Sequence, residues 1–470
     1  MRTLQKYTMS IALLPFLLSG CATLSPKYER PLAPIPSTLE EGVKENNQRI
    51  LELSWQTFIR DERLFKVVAQ SLEQSRNLRK AIANIEAARA TYRVTKSNEF
   101  PTLEAGATGS KARSVTGENS TAISQSSSAT LGVSSYELDF FGRARSLSES
   151  ELETYKGVEE AERSVRITLI AETVNAWLTY ASDQSLLILS KQTQQSAKQS
   201  LDLVQKRVEL GIDSKVSLYN AQSIFQQAKA DVARYTTFVA QDLASLELLV
   251  GARVDEALLP KELDLASPNW LADVPVGLSS DVLLSRPDVL EAEHNLKAAN
   301  ANIGYARAAY FPSITLTAKG GVGSSTLSGL FSGGTSTIWS FMPNISLPLF
   351  DAGERDANLD YAKAKRDVYV ATYEATIQTA FKETASALAR RATIYEQYSA
   401  QEALVEATKQ SYTLYDARYQ KGIDTYLNAL LAQRSFYSSE QALISVRLEE
   451  LSNRVTLYRV LGGGLAEKKE

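Results

Sequence analysis

Glycines that recur at one fixed shift constrain this chain more than any other feature. Arg207 opens the stretch RVELGIDSKVSLYNAQ, and Arg418 opens RYQKGIDTYLNALLAQ. The shift of 211 residues that carries Gly211 onto Gly422 also carries Gly142 onto Gly353, Gly251 onto Gly462 and Phe100-Pro101 onto Phe311-Pro312. One shift that holds at four landmarks marks a duplicated, domain-sized unit. Between Gly142 and Gly211 the chain has no proline and one glycine, and between Gly353 and Gly422 it has neither. Apolar residues recur there at three- and four-residue spacing, as at Ile170, Val174, Trp177 and Ala181. The spacing predicts one helix per run, about 100 Å long at 1.5 Å per residue. Gly-Ile-Asp stops each helix in a left-handed turn, and a shorter helix returns to about Val250 or Leu461. Each unit is expected to hold one long helical hairpin with coiled-coil packing.

Four stretches break this pattern with strict alternation. Leu103, Ala105 and Ala107 alternate with Glu104, Gly106 and Thr108; Tyr136, Leu138 and Phe140 alternate with Ser135, Glu137 and Asp139. Ile314, Leu316 and Ala318 alternate with Ser313, Thr315, Thr317 and Lys319; Trp339, Phe341, Ile345 and Leu347 alternate with Ser340, Met342, Asn344 and Ser346. Period two predicts strands with one apolar and one polar face. Ser110 to Ser128 and Gly320 to Ser336 are read as polar loops, and aromatics such as Phe100, Phe140, Phe141, Tyr310, Phe311 and Phe350 collect where strands meet helices. Helices this long cannot fold back over so small a sheet. The apolar face is expected to meet lipid, with the aromatics at the boundary.

The address agrees. Arg2 and Lys6 precede the apolar run Ile11 to Leu18, too short to cross a bilayer as a helix, and Leu18-Ser19-Gly20-Cys21 follows. That is the pattern of a bacterial lipoprotein signal, so Cys21 is expected to be lipidated, and Ala22 in place of Asp directs the product to the outer membrane. Cys21 is the only cysteine, so no disulfide forms within the chain. Discounting Arg2 and Lys6 leaves 49 Lys and Arg against 54 Asp and Glu, which argues against a nucleic-acid partner. The segment after Cys21 carries four prolines by Pro36 and reads as an extended strap.

Four strands cannot close a membrane barrel, and open edges in lipid leave backbone groups unpaired at several kcal/mol each. The barrel is expected to be shared. Two chains would give eight strands filled by side chains; three would give twelve strands around a wet bore, with the hairpins as a periplasmic tube. The trimer is the reading adopted. The expected fold class is mainly α with a membrane β part. Its expected segments are a signal peptide (1–20), an anchored strap (21–60), a first repeat (61–254), a linker (255–279), a second repeat (280–462) and a tail (463–470).

The residues also resemble a known family. Trp55-Gln56-Thr57-Phe58 with Asp61 and Leu64, Leu284-Ser285-Arg286-Pro287-Asp288-Val289 with Glu291-Ala292-Glu293, Phe311-Pro312-Ser313-Ile314, Leu347 to Gly353 and Gly422 to Leu427 are similar to the TolC/OprM-like outer-membrane factors, in particular the NodT-type lipoproteins. The resemblance covers nearly the whole mature chain. It implies a trimeric channel-tunnel with an equatorial belt, here from roughly Pro36 to Arg60, Asp255 to Ser279 and the tail. It implies passive export of drugs or other small toxic solutes for a tripartite pump, with a periplasmic adaptor and an inner-membrane pump as partners. A type I secretion or heavy-metal efflux system is the alternative.

A gate at the periplasmic tip is implied in the same way. Its candidates are Asp213, Lys215, Tyr219 and Asn220 at the first tip, and Tyr419, Asp424, Leu427, Asn428, Leu431 and Arg434 at the second. Asp213 and Asp424 equally suit helix caps. Gly211 and Gly422 are structural and mark where the adaptor is expected to dock. Leu431 stands where related sequences often carry Asp before Ala-Gln-Arg, so Arg434 needs another partner. Glu104, Glu137 and Asp139 fall on the polar strand face and are expected to keep the lumen wet.

An enzyme is excluded on residue chemistry. His294 is the single histidine, and no phosphate-binding loop or nucleophile elbow appears. No metal or cofactor is expected. A lipid-anchored periplasmic tether without a bore remains as a rival, but it would have no use for the four alternating segments.

Overall fold

The computed structural model describes residues 23–36, 54–117, 120–265, 269–274 and 279–463. Cys21, the signal segment and the C-terminal tail from residue 464 lie outside the described residues. The helices are α1 (Trp55–Phe58), α2 (Glu62–Gln74), α3 (Arg76–Ser97), α4 (Arg143–Glu209), α5 (Lys215–Val250), α6 (Pro287–Ala308), α7 (Glu354–Gln420) and α8 (Tyr426–Val460). The strands are β1 (Leu103–Gly117), β2 (Ser120–Glu137), β3 (Ser313–Ser324) and β4 (Ser336–Ser346). The duplication is carried into the fold residue by residue. α3 shifted by 211 is α6, and α4 shifted by 211 is α7, each long helix being 67 residues. The paired landmark glycines Gly142 and Gly353, Gly211 and Gly422, and Gly251 and Gly462 all take positive φ. Among the described residues no helix is long and apolar enough to cross a membrane.

The chain forms two compact units, each drawing on both repeats. The first takes residues up to 32, 84–159 and 291–374, and holds the four-stranded antiparallel sheet, ordered β1-β2-β3-β4. The strands run well past the expected limits. Within Ser110 to Ser128, read from sequence as a loop, residues 110–117 continue β1 and residues 120–128 belong to β2, and the register of the pair runs from Leu103 with Val133 to Gly117 with Ser120. Serine and glycine carry no strand signal of their own; the partner strand supplies it, saturating the backbone. Hydroxyl pairs across the hairpin, Thr108 with Ser128 and Ser110 with Ser126 at 2.8 Å, hold this part. At the other end β2 stops at Glu137, so Leu138 to Phe140 lie beyond the strand. A bulge at Ser134 and Ser135, where Ser135 has φ 52°, keeps Tyr136 on the same face as Val133. Phe141 stacks on Phe311 at 4.6 Å where the strands end.

The second unit takes residues 33–83, 160–290 and 375–470 and contains the main hydrophobic core. Three segments distant in sequence converge on it. Phe58 stacks on Tyr458 at 4.6 Å, Ala272 donates its N–H to the Phe58 carbonyl at 2.7 Å, and Trp177 meets Trp270 edge-on at 4.9 Å. The buried Trp177 indole donates to the Leu258 carbonyl at 3.0 Å. Glu450, only 1% exposed, is held between Arg447 and Arg454, whose guanidiniums also donate to the carbonyls of Asp264 and Leu271. A buried carboxylate needs such satisfied partners to stay charged. Residues 54–60, 255–265 and 269–274 thus pack as a collar on α4, α5 and α8.

Candidate functional site

The sheet sorts its side chains cleanly. Register puts Ala105, Leu131, Gly320 and Trp339 in one row, and Leu103, Val133, Ala318 and Phe341 in the next, all on one face. Trp339, Phe341, Ile345, Leu103 and Leu131 are all exposed, and no strand residue joins a described hydrophobic core cluster. The opposite face carries Glu104, Gly132, Lys319 and Ser340 in one row. A Cβ at Gly132 would lie 2.5 Å from Lys319 Cα and 2.9 Å from its Cγ, so the lysine stem crosses the space the glycine leaves. Glu104 and Lys319 therefore share a row with one strand between them. Glu137 shares this face and pairs with Arg143 at 3.6 Å. Asp139 lies past the strand; its carboxylate accepts the Arg145 N–H at 3.0 Å and Nε at 3.2 Å, which places it at the start of α4.

Both hairpin tips are built alike. The Ile212 N–H donates to the Arg207 carbonyl at 2.8 Å and the Gly211 N–H to Val208 at 3.0 Å, while Ile423 and Gly422 do the same to Arg418 and Tyr419. This six-to-one and five-to-two pattern closes a helix on a left-handed residue, and Gly211 and Gly422 both sit at φ 72°. The same turn brings the arginine six residues upstream back to the aspartate. Arg207 lies 3.8 Å from Asp213, and Arg418 lies 3.1 Å from Asp424. That explains why the repeat conserves Arg, Gly-Ile-Asp and their spacing together within this one chain.

The two tips are joined. Tyr419 donates its hydroxyl to Asp213 at 3.0 Å, and the Arg207 guanidinium stands 4.8 Å from the centre of the Tyr419 ring. Burial opposes the charge on Asp213, but bonds from Ser217, the Ser214 N–H and Tyr419 outweigh it and hold the carboxyl below its usual range. Burial, reinforced by the bond to Asp213, pushes the Tyr419 phenol up. The cap of α5 is Ser214, whose hydroxyl accepts the Ser217 N–H at 3.1 Å, so Asp213 stands one residue outside the helix. Asp424 accepts from Asn428 at 2.7 Å and from the Thr425 N–H at 2.8 Å. Tyr419 and Tyr426 pack into a small core with Val204, Ala221, Ala429 and Leu430. Leu427 and Leu431, one turn apart, stay 51% and 53% exposed on α8. Lys215, Tyr219 and Arg434 are also exposed, and Asn220 is half-buried. Arg434 lines a groove of about 270 Å³ with Arg234 and Asp231.

The outer membrane efflux protein family matches residues 67–252 and 278–463, two segments displaced by the same 211 residues. The chain belongs to the outer membrane efflux protein family. The efflux protein is 44% identical, over 98% of its length and 96% of the relative's, to the toluene efflux pump outer membrane protein TtgC of Pseudomonas putida. It is 38% identical to outer membrane protein OprJ of Pseudomonas aeruginosa, over 97% and 96% of the two chains. It is also similar to the open-state crystal structure of the Neisseria gonorrhoeae MtrE outer membrane channel, with a TM-score of 0.85 and 35% identity over 94% and 99%. It is accordingly an efflux component of the Gram-negative outer membrane, in a family of channels and not of enzymes. His294, the one histidine, bonds Glu153 at 2.7 Å in an ion-pair cluster with Lys156.

Sequence reading of the efflux protein missed a carboxyl pair in the first hairpin. Asp183 on α4 and Asp242 on α5 form this pair; burial first, then the neighbouring Asp183 charge, pushes Asp242 up to about 7. The signal was present once the tip was located, because residues equidistant from Ile212 and Asp213 face each other along the hairpin. The equivalent positions in the second repeat are Ile394 and Asn453. A carboxyl pKa raised on folding means the folded state binds the extra proton. Its contribution to stability is present at acid pH and lost as pH rises through about 7. Asp242→Asn keeps the side-chain shape without that titrating proton, so its thermal midpoint in detergent is expected to fall less between pH 5 and pH 8 than the parent's. An equal fall in both proteins would remove the pair from the account.

The efflux protein also ties down its N-terminal strap. Asn300 donates to the Pro26 carbonyl at 2.7 Å, Arg307 to the Leu24 carbonyl at 3.1 Å, and Tyr28 and Arg30 both reach Glu293. The strap thus runs antiparallel to α6. Gly304 makes room for it: a Cβ there would meet Ser25 Oγ at 2.1 Å and Ser25 N at 2.6 Å. Gly304→Ala is expected to loosen the strap at a cost of about 1–3 kcal/mol. Limited proteolysis should then cut between Thr23 and Leu32 where the parent resists; an unchanged digestion pattern would mean the helix shifts instead.

Proposed function

We propose that three copies of this chain close a twelve-stranded barrel and a periplasmic tunnel, forming the outer-membrane duct of a tripartite efflux pump. One observation carries this reading. The sheet has a face that is apolar from Leu103 to Gly109 on β1 and from Ile314 to Val322 on β3, and its two outer strands, β1 and β4, each leave one edge unpaired among the described residues. An exposed apolar face and open edges are stable in lipid only when further strands close the sheet. From Ile314 to Val322 the apolar face of β3 spans eight residues, about 26 Å along the strand and about 20 Å along the normal at the usual tilt, most of the height of a membrane barrel's apolar band. The strap supports lipidation of Cys21. Thr23 and Leu24, the first described residues, lie toward the end of α6 that leads into β3, the end that the channel reading sets at the inner leaflet.

The tips at Gly211 and Gly422 are the docking place for a periplasmic adaptor, which brings an inner-membrane pump. The linked residues Arg207, Asp213, Tyr419, Arg418, Asp424 and Asn428 hold the bore narrow there, with Leu427 and Leu431 as apolar constrictions that resist wetting. Glu104, Lys319 and Glu137 line the barrel and keep it wet. The relatives' names point to aromatic solvents and antibiotics as the cargo class. The test is single-channel recording of the purified chain in planar bilayers, with unheated gel migration alongside. Stepwise conductance from a heat-labile trimer is the expected result. A monomer that inserts nowhere would defeat the reading and favour a tether.

A further inference from the structure

The apolar face of the sheet carries two charges that the channel reading does not use. Along β1 this face runs Leu103, Ala105, Ala107 and Gly109, and then Lys111 and Arg113. Two sets of bonds fix the orientation. Arg113 Nε donates to Thr121 Oγ1 at 3.2 Å on this face, while the Thr108–Ser128 and Ser110–Ser126 hydroxyl pairs occupy the other. Among the described strand residues these are the only charged side chains on the apolar face; Glu104, Glu137 and Lys319 all lie opposite. No described strand carboxylate shares the face to neutralise them, and both are exposed.

Their height is informative. The strand ends that join the helices lie at Leu103 and Glu137, so the β1–β2 turn is the far end of the sheet. Lys111 stands eight residues above Leu103, about 26 Å along the strand and about 20 Å along the normal at the usual barrel tilt. That is the upper margin of the apolar band, at the level of lipid headgroups. β4, the strand that would close against β1, offers Thr337, Trp339 and Phe341 on this face and no charge of either sign.

We infer that Lys111 and Arg113 form a docking site for the phosphate groups of an outer-leaflet glycolipid, repeated around the barrel. The inference rests on the channel reading, because only a lipid-embedded sheet brings this face against headgroups. A cation at a membrane surface contributes roughly a fivefold preference for an anionic lipid, so two give on the order of twentyfold.

The test places the full chain in phosphatidylcholine vesicles containing bisphosphorylated lipid A, dephosphorylated lipid A or phosphatidylglycerol. Lipid bound per protein is measured by native mass spectrometry, and conductance is recorded from the same preparations. The parent should favour phosphorylated over dephosphorylated lipid A about twentyfold, and over phosphatidylglycerol as well. The double variant Lys111→Gln with Arg113→Gln should lose that preference while conducting normally. The charge-preserving double variant Lys111→Arg with Arg113→Lys should keep it. A preference that survives the neutral variant, or that phosphatidylglycerol matches, overturns the site. A parent that retains no conductance overturns the channel reading itself, and the two failures are told apart by that recording.

Discussion

Arg286→Leu will destabilise the folded chain by about 2–4 kcal/mol. Arg286 is 6% exposed and joins three things at once. Its guanidinium donates to Asp288 at 2.7 and 3.0 Å, to Glu383 at 3.0 Å and to the Val460 carbonyl at 2.9 Å. It therefore fastens the start of α6 to α7 and to the last turn of α8. Leucine fills the space but leaves two carboxylates side by side and the Val460 carbonyl with only the 3.5 Å bond from Thr384. The cost stays below that of a fully orphaned charge because Asp288 and Glu383 side chains keep 36% and 31% of their exposure. Arg286→Lys should recover only part of the loss, since an ammonium cannot fork between two carboxylates. Urea denaturation of the detergent-solubilised protein reads both values. A leucine variant within about 0.5 kcal/mol of the parent would show that the pocket is not stabilising.

Asp213→Ala is expected to raise the open probability of single channels about tenfold. The change removes the acceptor for Tyr419 and the partner of Arg207 while leaving Ser214 to cap α5. Charge-assisted hydrogen bonds of this kind contribute about 1.5–3 kcal/mol each at most, and 1.4 kcal/mol moves a two-state population tenfold. Tyr419→Phe deletes one of the two links and should shift the same equilibrium less. Cells carrying the alanine variant should also admit a large antibiotic that the outer membrane normally excludes. Open probability equal to the parent's in both variants would reduce Asp213 to a turn residue.

The two arguments show what a sequence of this kind displays. The Arg-Gly-Ile-Asp spacing was legible, but its purpose was not, because the return of Arg207 to Asp213 depends on the turn geometry that the glycine permits. Leu-Ser-Arg-Pro-Asp was legible as a motif, and Pro287 and Asp288 suit a helix start, yet nothing local announced Glu383 or Val460 as partners of Arg286. The serine-rich span from Ser110 to Ser128 was misjudged for the same reason. Its few strand-favouring residues, Val115, Thr121 and Ile123, are diluted by serines, and the facing strand supplies the rest.

What the sequence determined by itself was everything carried by short-range periodicity and by glycine: two equal long helices, their return points, four alternating faces and the duplication that relates them. These depend on φ preferences and on which side of a helix or strand an apolar residue lies, and both are properties of a few neighbouring residues. Tertiary structure alone decided the meeting of Asp183 with Asp242, the strap on Glu293, the collar around Trp177 and the length of the strands. Each of those needs a partner far along the chain, and a burial or hydrogen-bond energy that exists only after both partners have been brought together.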